Sequence, residues 1–254
     1  MILPTQKVKA EIQSPETLVV YGPPKIGKTT LLATLDNFLI LDFEKGTKKI
    51  DALKLEINDL KELKQAGTEI VKAGFPYKGT ITDTVTALEE WCEWAATEDY
   101  MNSTMGKAFN TKQGQVLPRA DWKSVLTLPN GAGYLWHRNS FKDWITKINR
   151  LAKYKIHVAH VKDIFLEKDN EVVSSKDLDL IGKDKNILCA NADAIGYIYR
   201  NPKAPLELRI SFKNHNQDLV GSRCQHLRNQ DFVLAVNNED GSIKEAFWNK
   251  IYID

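Results

Sequence analysis

Residues 17–30, TLVVYGPPKIGKTT, constrain this chain more than any other stretch. The first five are β-branched or apolar and read as a strand. Gly22-Pro23-Pro24-Lys25-Ile26-Gly27-Lys28-Thr29 then fits the phosphate-loop spacing: a glycine, any four residues, then glycine, lysine and serine or threonine. The two glycines let the backbone turn with its N–H groups inward, and the following helix adds the positive end of its dipole. Such a loop suits a triphosphate. Gly22, Pro23, Pro24, Lys25, Ile26, Gly27 and Thr30 would form the cradle, and Lys28 would reach the β and γ phosphates. Thr29 would place its hydroxyl on a Mg2+ ion bridging them. ATP and Mg2+ are the expected cofactors.

A strand–loop–helix start of this kind points to an α/β fold, and 254 residues suffice for one large domain. Residues 1–16, with Pro4 and Pro15 and little periodicity, read as an arm, 17–200 as the core and 201–254 as a C-terminal β extension. A net charge of +2 with 27% charged residues implies no global field toward nucleic acid or membrane, so any DNA contact must be local. No apolar run approaches the ~18 residues that cross a bilayer, and residues 1–13 mix lysines with scattered apolar residues. The expectation is a cytoplasmic protein with no membrane partner. Cys92, Cys189 and Cys224, odd in number and far apart, suit reduced structural thiols.

After the loop, residues 29–35 suggest a short helix, and Phe38-Leu39-Ile40-Leu41 a strand buried on both faces. Asn58-Asp59 reads as the cap of a helix with apolar Leu60, Leu63, Ile70 and Val71, ended by Gly74. Residues 77–83 suggest a strand, followed by a helix with Leu88, Trp91, Cys92 and Ala95 on one face. Periodicity vanishes over 100–133, and Phe141, Trp144, Ile145, Ile148, Leu151 and Ala152 mark the next helix. Residues 156–161 suggest a strand and 162–186 a polar, mixed-charge segment. Strands at 195–199 and 206–212, joined by the turn Asn201-Pro202-Lys203, and a final hairpin over 232–253 complete the pattern. His157 and His160, three apart on a strand, fall on opposite faces, which argues against a metal pair.

Nucleotide hydrolysis needs a second metal-side acid and a carboxylate for the attacking water. Asp42 follows four apolar residues, Glu44 lies two further on, and Asp83 ends the next strand. Asp42 and Asp83 both remain candidates for the metal by pattern, and Asp83 also suits a helix cap.

The order of phosphate loop, strand ending Asp42-Phe43-Glu44, strand ending Asp83, helix, and strand ending His160-Val161-Lys162-Asp163 resembles the RecA-type recombination ATPases. More narrowly it resembles phage-encoded RecA-like ATP-binding proteins, including Sak-type single-strand annealing ATPases. Pro129-Asn130-Gly131-Ala132-Gly133-Tyr134 and Asp193-Ala194-Ile195-Gly196-Tyr197 carry the resemblance further. It implies a RecA-like core with a mostly parallel sheet flanked by helices. Glu44 would activate the water, Asp83 rather than Asp42 would hold Mg2+, and His160 would stand where a glutamine usually senses the γ-phosphate.

By position, the resemblance makes 100–133 and 162–186 DNA-binding loops. Lys107, Lys112, Arg119 and Lys123 stand with few acids in the first, where Trp122 and Tyr100 could stack on bases. In the second, Asp163, Glu167, Asp169, Glu171, Asp177 and Asp179 nearly cancel the lysines. Arg223 is the candidate to complete a neighbour's site, with Lys213 and Arg228 behind it. The implied function is ATP-dependent binding of single-stranded DNA for annealing or recombination by a homo-oligomeric ring or filament, with a single-strand binding protein as a further partner. The alternatives are a nucleotide-switched helicase loader and a small-molecule kinase. The kinase lacks an arginine-rich lid, since 162–186 contains no arginine.

Overall fold

The computed structural model describes residues 13–168, 171–213 and 218–253, together with 3 and 5–7. Half of the expected N-terminal arm, residues 1, 2, 4 and 8–12, lies outside the described residues, as does Asp169.

β1 (Thr17–Gly22) is buried at every position, with Leu18 and Val20 facing one side and Val19 and Tyr21 the other. It leads through the loop to α1 (Lys28–Leu32), which stops earlier than expected because residues 33–37 turn back into β2 (Phe38–Asp42). β3 (Lys54–Glu56) follows, then α2 (Leu60–Lys72), whose Asp59 cap accepts from the Glu62 N–H at 2.7 Å. Val71, expected on the apolar face, is exposed, while Leu63, Ala66 and Ile70 are buried. β4 (Gly79–Asp83) precedes α3 (Val85–Asn102), a helix that continues beyond the point where periodicity fades. β5 (Thr111–Lys112) and β6 (Gln115–Val116) form a small hairpin before α4 (Gly133–Ile148).

β7 (Tyr154–Lys168) is the main departure from the sequence pattern: it is fifteen residues long and runs into the polar, mixed-charge segment that begins at 162. There it pairs antiparallel with β8 (Glu171–Leu178), from Val161 opposite Leu178 to Lys168 opposite Glu171. The supposed loop is thus a β-hairpin followed by α5 (Asp184–Asn191). β9 (Ala194–Asn201), β10 (Ala204–Ser211), β11 (Gly221–Ser222), β12 (Asp231–Asn237) and β13 (Ile243–Ala246) end the chain. The last expected strand shortens to four residues because 248–250 form a 3-10 turn.

All the strands but β5 and β6 make one eleven-stranded sheet in the order β13-β12-β10-β9-β1-β7-β4-β2-β3, with β8 added to β7 and β11 to β9. The six from β9 to β3 are parallel, while β10, β12 and β13 extend the sheet antiparallel. This is the α/β architecture expected of a RecA-like P-loop core, with C-terminal antiparallel strands. On one face Val19, Tyr21, Leu41, Leu88, Phe141 and Ile145 bury against α2, α3, α4 and α5. On the other, Leu18, Val20, Leu31, Ile156, Ile198 and Leu234 form a second core. Asp193 pins β9 to β1 by accepting the Glu16 and Thr17 N–H groups, each at 3.0 Å.

His157 lies inside the sheet, its Nδ1 3.2 Å from Thr82 Oγ1 and its Nε2 2.8 Å from Asn149 Oδ1. Burial, with a smaller effect of Lys155, lowers its pKa to about 4. An unfolded histidine protonates near pH ~6.5, so acidification from there toward 4 loads the unfolded chain with a proton the fold rejects. Stability should fall across that window with a contribution of at most about 1.4 kcal/mol per pH unit. Urea denaturation at a series of pH values should show this part of the slope gone in His157→Gln; an unchanged slope would mean His157 is not its source.

Candidate nucleotide-binding site

The parallel register brings the chemically active residues to one edge of the sheet. Gly22 stands opposite His160, Asp83 opposite Val158 and Asp42 opposite Asp83, so β1, β4 and β2 end together beside residues 158–160 of β7. Two glycines shape the loop. A Cβ on Gly22 would sit 2.3 Å from the Ile198 carbonyl oxygen, and Gly27 caps α1 with a φ of 105°, where side chains are disfavoured.

Lys28 is nearly buried and donates through Nζ to the Gly22 and Pro23 carbonyls, both at 2.9 Å. Burial lowers its pKa, against the opposing pull of Asp83 and Glu44. Thr29 donates its hydroxyl to Asp83 Oδ2 at 2.7 Å, joining the end of β4 to the start of α1 across the intervening β7. Burial raises the Asp83 pKa to about 6, opposed by the Thr29 hydroxyl and reinforced by Glu44 and Asp42. A hydroxyl and a desolvated carboxylate beside a lysine fit a hard divalent cation with its bound phosphates, since a cation there would relieve the buried negative charge.

Asp42 has a different task. Its carboxylate accepts from the Glu44, Gly46 and Thr47 N–H groups and from the Thr47 hydroxyl, at 3.1, 3.2, 2.9 and 2.6 Å. Fully buried and occupied by these donors, it holds the turn after β2. That turn presents Glu44, whose Oε1 accepts from the Thr84 hydroxyl at 2.6 Å and lies 3.3 Å from His160 Nε2. His160, against the cost of burial and together with Thr84, holds Glu44 below the usual carboxylate range; Glu44 in turn raises His160. The result is an ionised carboxylate with fixed orientation, the state a proton acceptor needs.

Arg200 escapes a sequence reading because no motif marks it. From the end of β9 it donates to the Ile26 carbonyl at 3.1 Å and the Pro205 carbonyl at 2.9 Å, bracing the loop. Arg223 is not brought to this site within the chain. It is exposed beside the first residues of β9, where it donates to the Ala190 carbonyl at 2.8 Å, at the opposite end of the strands.

The first insertion is ordered by local bonds. Asn110 bridges to Lys123 through both its side-chain atoms, and the Val125 N–H donates to Thr97 Oγ1 at 3.0 Å. Trp122 is half-buried and gives its indole N–H to the Leu117 carbonyl at 2.6 Å, while Tyr100 packs edge-on against Phe109 and Trp136. Both rings thus serve the packing of the insertion. Lys107, Lys112 and Arg119 are exposed, with Arg119 2.8 Å from Glu98. In the hairpin, Lys176 pairs with Asp163, and Lys185 of α5 pairs with Asp177, which cancels charge there. A cleft of about 660 Å³ between β3 and α2, lined by Leu39, Ile57 and Tyr77 among others, lies away from the phosphate loop. The loop is assigned by its side-chain chemistry, which that cleft lacks. Among the described residues no helix is long and apolar enough to cross a membrane.

No curated protein matches the chain in sequence. Among solved structures, the crystal structure of the RadB recombinase is similar, at 14% identity over 90% of each chain with a TM-score of 0.45. The family model described as an AAA domain matches residues 14–235, a span that contains the phosphate loop, Glu44, Asp83 and His160. The chain therefore belongs to the AAA-domain family of P-loop NTPases.

Proposed function

We propose that this protein binds and hydrolyses ATP and couples the nucleotide state to single-stranded DNA, acting in annealing or recombination. The observation that carries this reading is the Glu44–His160 pair at 3.3 Å, because it joins the hydrolytic carboxylate to the strand that becomes the β7–β8 hairpin. Lys28 binds the β and γ phosphates, and Thr29 and Asp83 hold Mg2+, which when bound neutralises phosphate charge. Glu44 takes a proton on its carboxylate from the water aimed at the γ-phosphorus. The link outward is short. Thr86 Oγ1 accepts the His160 N–H at 3.2 Å and donates to the Asp179 carbonyl at 3.3 Å, and the Asp179 N–H returns to the His160 carbonyl at 3.0 Å. A shift of His160 with the nucleotide therefore moves both ends of the hairpin.

Glu44→Gln should retain ATP binding and lose turnover by about 10² or more, whereas Lys28→Ala should lose both; normal turnover in Glu44→Gln would remove it from the mechanism.

For DNA, the exposed Lys107, Lys112 and Arg119 of the first insertion are the proposed phosphate contacts, in preference to the charge-paired hairpin. A labelled single-stranded oligonucleotide titrated with protein, with and without ATP and Mg2+, should bind more weakly as salt rises. Replacing the three cations by glutamine should reduce the slope of log affinity against log salt by roughly 0.7 per phosphate that is no longer neutralised. An unchanged slope would reject this insertion as the DNA surface. No binding in any nucleotide state would favour a protein-partner switch such as a helicase loader. The trans role of Arg223, assembly into a ring or filament, a single-strand binding protein as partner, and a phage origin with action in the host cytoplasm extend the same proposal.

A further inference from the structure

Away from the nucleotide site, Glu89 of α3, His137 of α4 and Asp184 of α5 converge in the interior, 3%, 1% and 2% exposed. Their ligand atoms all lie within 4.8 Å of one another. Nothing in the proposed hydrolysis uses them. His137 Nε2 is 3.3 Å from the Glu89 backbone carbonyl, an acceptor only, which places the ring N–H on Nε2. Nδ1 then offers a lone pair, and 2.8 Å from it stands Asp184 Oδ2. That oxygen is fully buried, and its one close partner is the His137 ring, with which it forms an ion pair when the ring carries a second proton. Two buried carboxylates beside one imidazole require positive charge, which either a second proton on the ring or a bound cation supplies. The Ile181 N–H donates to Glu89 Oε1 at 2.8 Å, but it is a neutral donor. Lys162, whose charge acts on Glu89, is spent on the Leu180 carbonyl at 2.7 Å and lies 3.9 Å from Asp179.

We propose that Glu89, His137 and Asp184 bind one divalent transition-metal ion, Zn2+ or Mn2+, which ties α4 and α5 to α3. Two carboxylate oxygens and one imidazole nitrogen suit these ions, and the three leave room for water as a further ligand. Donation of the other ring N–H to a backbone carbonyl is the arrangement that orients a metal-bound histidine. Asp184 also borders a cleft of about 400 Å³, together with Tyr134, Arg138, Gly182 and Lys183. The position gives the ion a structural task. α4 follows the first insertion and α5 follows the hairpin, so one ion fixes the roots of both segments against the helix that begins beside Glu44. The ion site does not depend on the proposed ATP and DNA activities.

The test uses the full chain, stripped with chelator and titrated with Zn2+, Mn2+ or Co2+ alone, without nucleotide. Wild type should bind about one equivalent, raise its melting temperature by roughly 5–10 °C at a hundredfold excess over Kd, and give a visible Co2+ absorption band. His137→Gln and Asp184→Asn should lose the band and the thermal shift while matching chelated wild type in secondary structure. Asp83→Asn, in the nucleotide site, should keep both. If neither variant folds, the metal content and Co2+ spectrum of wild type decide. No bound metal and no thermal response in wild type would overturn the proposal, as would a response that survives both substitutions or disappears in Asp83→Asn.

Discussion

The 2.7 Å hydrogen bond from the Thr29 hydroxyl to Asp83 is the contact on which the site depends, because it joins the helix that follows β1 to β4, a strand that is not a neighbour of β1. β7 lies between β1 and β4, so the bond exists only if all three are parallel and in register. Burial of both sheet faces enforces that register, since a slip of one residue would turn Val19 and Tyr21 out of one core and Leu18 and Val20 out of the other. The hydrophobic pattern of β1 thus fixes the position of a hydroxyl and a carboxylate many residues away from each other.

Three acids crowd this edge, and their surroundings separate their roles. Asp42 is taken up by four donors and shapes a turn. Asp83, desolvated and answered by a single hydroxyl, has its charge disfavoured and gains most from a cation. Glu44 is kept ionised by His160 and Thr84. Thr84 serves twice: its oxygen accepts from the Ala87 N–H at 3.2 Å to cap α3 while its hydroxyl donates to Glu44. The start of α3 is therefore tied to the carboxylate proposed to take the proton.

The parts legible in the sequence are those with dense local signals. The phosphate loop has a fixed spacing, β2 a continuous apolar run, and α2 an Asn58-Asp59 start. The assignment of Asp83 over Asp42 needed a family resemblance, because the donors that occupy Asp42 follow it within a turn and leave no pattern. The long β7 was hidden because beyond His160 it pairs with β8 and carries Lys162 and Asp163, so the apolar signal of a buried strand is missing there. The first insertion is aperiodic because it is built from two-residue strands and single turns held by Asn110 and Trp122. Arg200 and the Glu89–His137–Asp184 cluster are brought together by the fold alone, from elements far apart in the chain.

The most direct measurement is calorimetric titration of ATP into wild type and Asp83→Asn, each with and without Mg2+. The account predicts that Mg2+ tightens binding to wild type by tenfold or more and that Asp83→Asn binds ATP with no such gain. A variant that kept the full metal-dependent gain would contradict the placement of the cation between Thr29 and Asp83, and with it the organisation of the site.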